Sequence, residues 1–469
     1  MRKKISIVFI IAFLMVLIFS GKLFAQKNDI NFNTGTQLSQ EQKLSDFEYM
    51  YNILKENYPF FEVNKRVNNI DWLSNKEVYI DRIKETKNDK DFFSTLSKIL
   101  DDLHNGHTHM YTQSDYDYWK NTVLNWEGRN EAWLNQLNFE KSIKRYSQNT
   151  TNVSSIIQFN NNYRNIIGNG KVSTSSNNIE TKLLYNNVAY LYVKAFDIND
   201  ISKDYETLTN FFNNIREYKK LIIDIRGNGG GFDKYWQDNI VKQLSSKPLY
   251  DKSYFVFKGS TFEEPFIKDN FGFGYDSMLN IDNIINEKLP LLPSEISDYF
   301  KYYFKFENII QPQNSIGFKG NIYLLVDKNV FSSAESFAIF CKDTGFATLV
   351  GETTGGDGIV GSIPCCALPN SGFIFGFSMT MGLTSDGSCN AEMKTTPDIY
   401  VSNKWYLNLF KDSSIEFVLS GKVQYFGLHD FVKILICILV ISAIILTKIF
   451  IRKKKKEKNS KKVIYNLNK

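Results

Sequence analysis

The chain has 469 residues, of which 43% are hydrophobic, and this is enough to build a large packed core and more than one domain. Its formal net charge is +6, but the basic residues concentrate at the two ends, with +4 on the first 25 residues and +8 on residues 452–469, which leaves −6 for the rest. An acidic body argues against a nucleic-acid partner.

The first 25 residues are typical of a secretory signal peptide. The basic start MRKK precedes an apolar run over residues 5–19, and LFA ends at Ala25, where cleavage is expected. An uncleaved N-terminal anchor is the alternative, because Lys22 and Leu23 are unusual so close to a cleavage site. In either case we expect the residues that follow to be exported.

Residues 26–110 are predicted to form a helical subdomain that ends in a histidine loop. SQEQKLSDFEYMYNILKEN has apolar residues at helical spacing, and KDFFSTLSKILDDL has a second helical pattern. HNGHTH follows directly and contains three of the four histidines of the chain, His104, His107 and His109.

Three interpretations of the histidine loop stay open at this point. A zinc site is one, although no HExxH helix is present. A catalytic base is another, because the pKa of histidine lies near neutral pH. The third is a polar loop whose side chains cap the preceding helix.

Residues 111–185 are polar and are predicted to be a linker or insertion, whereas residues 186–427 are predicted to form an α/β core. NVAYLYVKAF, LIIDI, NIYLLVD and ATLVGE are typical of strands, and the helical patterns between them indicate a largely parallel sheet. An aromatic-rich insertion is expected at about residues 245–315.

The stretch DIRGNGGGF places three glycines, Gly229 to Gly231, directly after a buried strand. Glycine is needed where the backbone takes a positive φ or approaches another group closely. The turn could therefore direct free N–H groups at an oxygen, or it could serve only as a tight connection. It is not a phosphate loop, because the GK[ST] ending is missing.

The stretch DKNVFSSAESFAIF places Ser332 where a strand passes into a helix. A serine at such a corner can be a nucleophile, with the N–H of Ser333 free to receive an oxyanion. The alternative is structural, since Ser332 to Glu335 spells S-x-x-E, the pattern of a helix capping box.

Residues 431–451 are apolar and long enough to span a bilayer, and a basic tail over residues 452–469 follows at once. Basic flanks stay on the cytoplasmic side. We therefore expect a single-pass protein of the cell membrane with its main domain outside the cytoplasm and its tail inside. An amphipathic terminal helix is the alternative.

Taken together, these motifs resemble the C-terminal processing peptidases, or tail-specific proteases, and in particular their tricorn-core-like branch. The resemblance rests on LHNGHTHM, LIIDIRGNGGG, VFSSAESFA, LVGETTGG and TPDIYV, in this order. It implies a crotonase-like (ClpP/crotonase) α/β core of ββα units. It also implies a serine peptidase that hydrolyses peptides or proteins through an acyl-enzyme, with no metal and no cofactor.

The resemblance implies a role for each candidate site residue. Ser332 would be the nucleophile and His107 the base, with His104 and His109 in support. Ser333 and either Gly229 or Gly230 would supply the oxyanion hole. Glu392 would orient the base, although it lies one residue closer to the following proline than is usual, and Glu352 is the fallback.

Two departures from the family pattern affect what the resemblance implies. Asp357 stands where a lysine completes the Ser–Lys dyad of other members, so that dyad is not expected. Residues 111–185 contain no clear PDZ domain, so tail specificity does not follow. The competing hypotheses are an inactive peptide-binding protein on the same fold and a zinc hydrolase that uses His104, His107 and His109. The sequence indicates no oligomeric state.

Overall fold

The computed structural model of the chain describes residues 37–124, 129–147, 178–361, 363–402, 412–422 and Thr447. The predicted signal (1–25) and the basic tail (452–469) lie outside the described residues, as does the predicted membrane helix (431–451) apart from Thr447. Within the described part of the chain, no helix combines the length and the apolar character that a membrane span requires.

The first part of the described chain is mainly helical, and most of the strands lie after residue 178. The helices are α1 (Gln40–Asn57), α2 (Phe61–Asn68), α3 (Lys76–Lys84), α4 (Asp89–Asp101), α5 (Gln113–Leu124), α6 (Glu131–Leu137), α7 (Glu140–Tyr146), α8 (Ile201–Asn214), α9 (Asp233–Trp236), α10 (Lys242–Leu244), α11 (Glu264–Phe271), α12 (Ile296–Tyr299), α13 (Ser333–Thr344), α14 (Asn390–Met393) and α15 (Ser413–Ser420). The strands are β1 (His109–Met110), β2 (Ile179–Leu184), β3 (Val188–Val193), β4 (Lys220–Asp224), β5 (Leu249–Phe257), β6 (Leu279–Asn280), β7 (Tyr302–Ile310), β8 (Asn321–Val326), β9 (Thr348–Gly351), β10 (Cys365–Ala367), β11 (Ile374–Gly376), β12 (Thr380–Leu383) and β13 (Ile399–Tyr400).

The chain divides into two compact units, each assembled from separate segments. Unit 1 comprises the described residues of Met1–Lys171, Lys252–Phe306 and Ile359–Glu392. Unit 2 comprises the described residues of Val172–Asp251, Glu307–Gly358 and Met393–Lys469.

Unit 2 is built on a six-stranded sheet in the order β13-β9-β8-β4-β3-β2. All neighbours are parallel except β2, which pairs antiparallel with β3. The strands β4 and β8 are runs of apolar residues because both faces of the sheet are covered. Leu221 and Ile223 face one core cluster together with Phe212 of α8, whereas Ile222 faces the other. The predicted α/β architecture is confirmed.

Unit 1 begins with four helices, and the starts of two of them are encoded locally. Ser39 and Gln42 form a capping box at the start of α1, with the Gln42 N–H donating to Ser39 Oγ over 3.2 Å. Asn88 caps α4 by accepting from the Asp91 N–H. The apolar face of α4 is buried, and it ends at the histidine loop. The predicted helical N-terminal region is confirmed.

Two short antiparallel arrangements complete unit 1. A three-stranded sheet has the order β1-β11-β10, so that the strand after the histidine loop is hydrogen-bonded to β11. The second is a four-stranded sheet in the order β12-β5-β7-β6, in which Met381 lies opposite Val256. Residues 252–306, expected as an insertion in the core, thus belong to unit 1.

The polar region 111–185 contains more regular structure than its composition suggested. Helices α5, α6 and α7 occupy part of it, and β2 begins at its end. Buried aromatic residues explain the helices: the Trp133 indole donates to the Ile363 carbonyl over 2.7 Å, and Tyr116 stacks on Tyr146 at 4.5 Å. Because these buried aromatic residues are widely spaced, the sequence shows no clear helical periodicity here.

Candidate active site

The glycine turn of unit 2, residues 227–231, is anchored by charged residues at the ends of β4 and β8. Asp224 ends β4, and its carboxylate accepts from the Tyr190 hydroxyl at 2.9 Å and from Arg226 Nε at 2.8 Å. Asp327, directly after β8, accepts from the Gly227 N–H at 3.0 Å. The turn therefore leaves the carboxyl end of β4 in a direction fixed by contacts at the ends of β4 and its parallel neighbour β8.

Within the turn, the side chain of Asn228 determines which backbone N–H groups can still donate to another group. Its side-chain oxygen accepts from the Gly230 N–H at 2.8 Å, and its amide nitrogen donates to the Val193 carbonyl at 3.1 Å. The Gly230 N–H is thus occupied, which corrects its candidacy as an oxyanion donor. The Gly229 N–H has no hydrogen-bond partner among the described residues.

Gly230 also brings the glycine turn against the backbone around Ser332, where the chain enters α13. We call this junction the serine corner. Its φ is +101°, and a Cβ at this position would lie 2.8 Å from both the Phe331 carbonyl oxygen and the Ser333 nitrogen. Real Cβ atoms do not approach backbone atoms so closely. Only glycine at this position lets the turn contact the backbone on both sides of Ser332.

Ser332 has a strained backbone that a capping residue would not need. Its φ is 56° and its ψ is −127°, and its side chain makes no capping hydrogen bond to α13. One oxygen of Glu335 accepts from the Thr395 hydroxyl at 2.6 Å. The capping-box interpretation of S-x-x-E is therefore wrong. Strain of this kind at a strand-to-helix corner is characteristic of nucleophilic serines.

The helix that starts at Ser333 offers a second N–H donor. The first N–H groups of a helix have no partner within the helix, and the N–H of Ser333 has none among the described residues. Because Gly230 lies against the Ser333 nitrogen, the free N–H groups of Gly229 and Ser333 belong to adjoining backbone segments.

A threonine pair, which the sequence analysis did not single out, supports the serine corner. The Thr395 N–H donates to Thr354 Oγ1 at 2.8 Å, and the Thr354 N–H donates to the Thr395 carbonyl at 3.1 Å. This pair joins the GETTGG loop to the segment that binds Glu335. Asp357 lies buried in the same loop with a φ of 57°, in the position where a dyad would need lysine.

The histidine loop lies in unit 1 and is organised by Asn105. The Asn105 side-chain oxygen accepts from the His107 N–H at 3.1 Å, the Thr108 hydroxyl at 2.9 Å and the Ser378 hydroxyl at 3.2 Å. His107 is buried, with 8% of its surface exposed. The backbone of the loop is therefore fixed, and with it the point from which the imidazole projects.

The other two histidines have different surroundings. His104 is exposed and has a φ of 52°, as befits a residue in the turn after α4. His109 lies in β1, 5.6 Å from the Tyr111 ring, and desolvation lowers its pKa although Asp115 opposes the shift. Among the described residues, no group of three His, Cys, Asp or Glu side chains could hold a metal ion. The geometry thus gives no support to the zinc hypothesis.

Glu392 has a different partner from the one expected. Both of its oxygens accept from Arg66, at 3.0 Å from Nε and 2.5 Å from Nη2. The hydrogen bond to Glu392 is the largest of the influences that raise the pKa of Arg66. Neither Glu392 oxygen bonds to His107 among the described residues, so the expected role of Glu392 in orienting the base has no direct contact behind it.

Glu352, the fallback, lies in unit 2 with the serine corner. One of its oxygens accepts from the Ser402 hydroxyl over 3.4 Å, and its N–H donates to the Val326 carbonyl. These contacts tie the end of β9 to its neighbours, and they indicate a structural role for Glu352.

The fold and the serine corner define a class of protein, the serine hydrolases with an α/β core. Residues 187–401 match the family model for peptidase family S41. The chain carries an S41 peptidase domain and is a serine-type peptidase whose substrates are peptides or proteins.

Two solved structures show the same fold. A Parabacteroides merdae protein classed as a peptidase has a TM-score of 0.50 and 20% identity, over 80% of this chain and 95% of the other. A CPAF mutant has a TM-score of 0.50 and 11% identity, over 83% of this chain and 99% of the other. No curated protein sequence matches the chain.

Proposed function

We propose that the chain is a membrane-anchored serine peptidase that acts outside the cytoplasm, with Ser332 as nucleophile and His107 as general base. The strained backbone of Ser332 supports the catalytic part of this proposal. A serine that does not cap its helix, yet keeps a φ of 56°, must be held there by its surroundings at a cost of about 1–3 kcal/mol. The need to hold the Ser332 hydroxyl in a reactive position accounts for this cost in free energy.

The chemistry follows acyl transfer. His107 takes the proton from the Ser332 hydroxyl as its oxygen attacks the peptide carbonyl carbon, and a tetrahedral oxyanion forms. The N–H groups of Ser333 and Gly229 donate to the oxyanion, and the loss of one such donor typically lowers the rate ~100- to 1000-fold. His107 then protonates the leaving amine, and water hydrolyses the acyl-enzyme.

The proposed location rests on the apolar run at residues 431–451 and its basic flank, together with the signal-like start. The parallel strands of unit 2 also support classing the core as crotonase-like. Digestion of intact cells with an external protease tests the location. We expect the main domain to be degraded while an epitope at the C-terminus stays protected; an intact main domain would contradict an exterior location.

Hydrolysis of casein by matched variants tests the catalytic assignment. Ser332→Ala and His107→Ala should abolish activity. Ser333→Ala and His104→Ala should retain it, because Ser333 acts through its backbone N–H and His104 is an exposed turn residue. A chelator should have no effect. Activity in Ser332→Ala would refute the nucleophile, and a folded wild type without activity would favour the peptide-binding alternative.

A further inference from the structure

A three-residue ion cluster in unit 1 has no part in the mechanism above. Arg66 binds both oxygens of Glu392, and its Nη2 also donates to Glu295 at 2.7 Å. Glu295 is 6% exposed and Glu392 20%, whereas Arg66 is 41% exposed, so that solvent screens these contacts from the Arg66 side. Bidentate, charge-assisted contacts of this kind are among the stronger polar interactions in proteins.

The helix that carries Arg66 also holds one side of the histidine loop. On α2, the Asn64 amide donates to the Asp102 carbonyl at 2.9 Å, at the point where α4 ends and the loop begins. Asn64 is 2% exposed, and Asn68 donates to its side-chain oxygen at 2.9 Å. A displacement of α2 would therefore move the start of the loop.

The segment that carries Glu392 holds the other side of the loop. Ser378, just before β12, donates its hydroxyl to Asn105 and its N–H to the Thr108 hydroxyl, at 3.2 Å and 3.4 Å. After β12 the chain forms a bridge between Leu383 and Cys389 and enters α14, where Glu392 lies. The loop is thus held by two segments, and Arg66 joins them.

We propose that Arg66 and Glu392 are positioning residues that close a ring of contacts around the His107 loop. The ring runs from α2 to the loop, from the loop to β12, from β12 to α14, and back to α2 through the ion pair. Removing the pair opens the ring at its one ionic contact. The proposal rests on the proposed function in one respect, because it takes His107 to be the general base.

Hydrogen exchange of the full-length chain tests the ring without any need for activity. Arg66→Gln and Glu392→Gln should each speed amide exchange in residues 103–110 about tenfold, since each breaks the two charge-assisted bonds that close the ring. Arg66→Gln also loses the bond to Glu295, which lies outside the ring. The double variant should exchange no faster than either single variant, and Arg66→Lys, which cannot bind bidentately, should be intermediate. Lys65→Gln is the matched control, because it removes an exposed ion pair to Asp71 from the same helix.

Kinetics separates this role from a catalytic one. If the pair only positions the loop, Arg66→Gln and Glu392→Gln should lower kcat equally, about tenfold, with KM and the pH midpoint of kcat/KM unchanged. Unaltered exchange in both variants would overturn the proposal. A much larger loss in Glu392→Gln than in Arg66→Gln, with a shifted pH midpoint, would overturn it as well and return Glu392 to the role of orienting the base. If the proposed function is wrong, the wild type should be inactive. The hydrogen-exchange rates of the wild type and the variants would still show whether the ring of contacts holds the loop.

Discussion

Gly230→Ala is the substitution whose effect the structure specifies most closely. The new Cβ would lie 2.8 Å from the Phe331 oxygen and the Ser333 nitrogen, against about 3.4 Å for ordinary close contacts. The backbone on either side of Ser332 must then shift by about 0.6 Å. Shifts of ~1 Å in a catalytic constellation can lower the rate about 100-fold, and we expect kcat/KM to fall by roughly that factor.

Gly227→Ala provides the matched control for this prediction. Gly227 lies in the same turn with a φ of +78°, but a Cβ there would meet nothing within 4 Å. Both variants therefore carry the cost of a positive φ, about 1–2 kcal/mol, whereas only Gly230→Ala disturbs the serine corner. The assay compares kcat/KM on casein, with thermal unfolding as the measure of stability. Equal activity in the two variants would refute the claim that the turn positions Ser332 and Ser333.

Three further predictions concern the histidine loop, the serine corner and the interior of unit 1. Asn105→Ala should lower kcat at least tenfold, because the backbone of the loop loses its shared hydrogen-bond acceptor. Asn105→Asp keeps a side-chain oxygen and should keep most activity. Equal kcat values for the two variants would contradict this prediction. Thr395→Val should lower the free energy of unfolding by about 1–3 kcal/mol in urea titrations, since it removes the hydroxyl that donates to buried Glu335, whereas exposed Thr396→Val should change little. Burial raises the pKa of Glu263 to about 8, although the Tyr275 hydroxyl donates to it. The native state therefore binds the Glu263 proton more tightly than the unfolded state does, and from pH ~4.5 to about 8 the wild type should lose stability relative to Glu263→Gln by about 1.4 kcal/mol per pH unit. Parallel stability curves for these two proteins would contradict the raised pKa.

Much of the core of unit 2 could be predicted from the sequence. Most of β4 and β8 consists of consecutive apolar residues, and α13 follows a recognisable strand end. Such patterns are local and directly reflect burial on both faces of the sheet. The order of the motifs along the chain then predicted that Ser332, Ser333 and the glycine turn belong to one site.

Other features depend on contacts that no local pattern contains. The capping-box pattern at Ser332 was misleading, because a sequence does not show that a non-glycine residue takes a φ of 56°. The partner of Glu392 is Arg66, 326 residues away along the chain. The choice between Gly229 and Gly230 depended on the side chain of Asn228, which takes up one N–H of the turn.

The central claim is that the Ser332 hydroxyl is a nucleophile activated by His107. Treatment of the full-length chain with a fluorophosphonate, followed by peptide mapping, tests it most directly. The account predicts one modified peptide with the label on Ser332, none in Ser332→Ala, full labelling in Ser333→Ala and a labelling rate reduced at least 100-fold in His107→Ala. A label on another residue, or an unchanged labelling rate in His107→Ala, would contradict it.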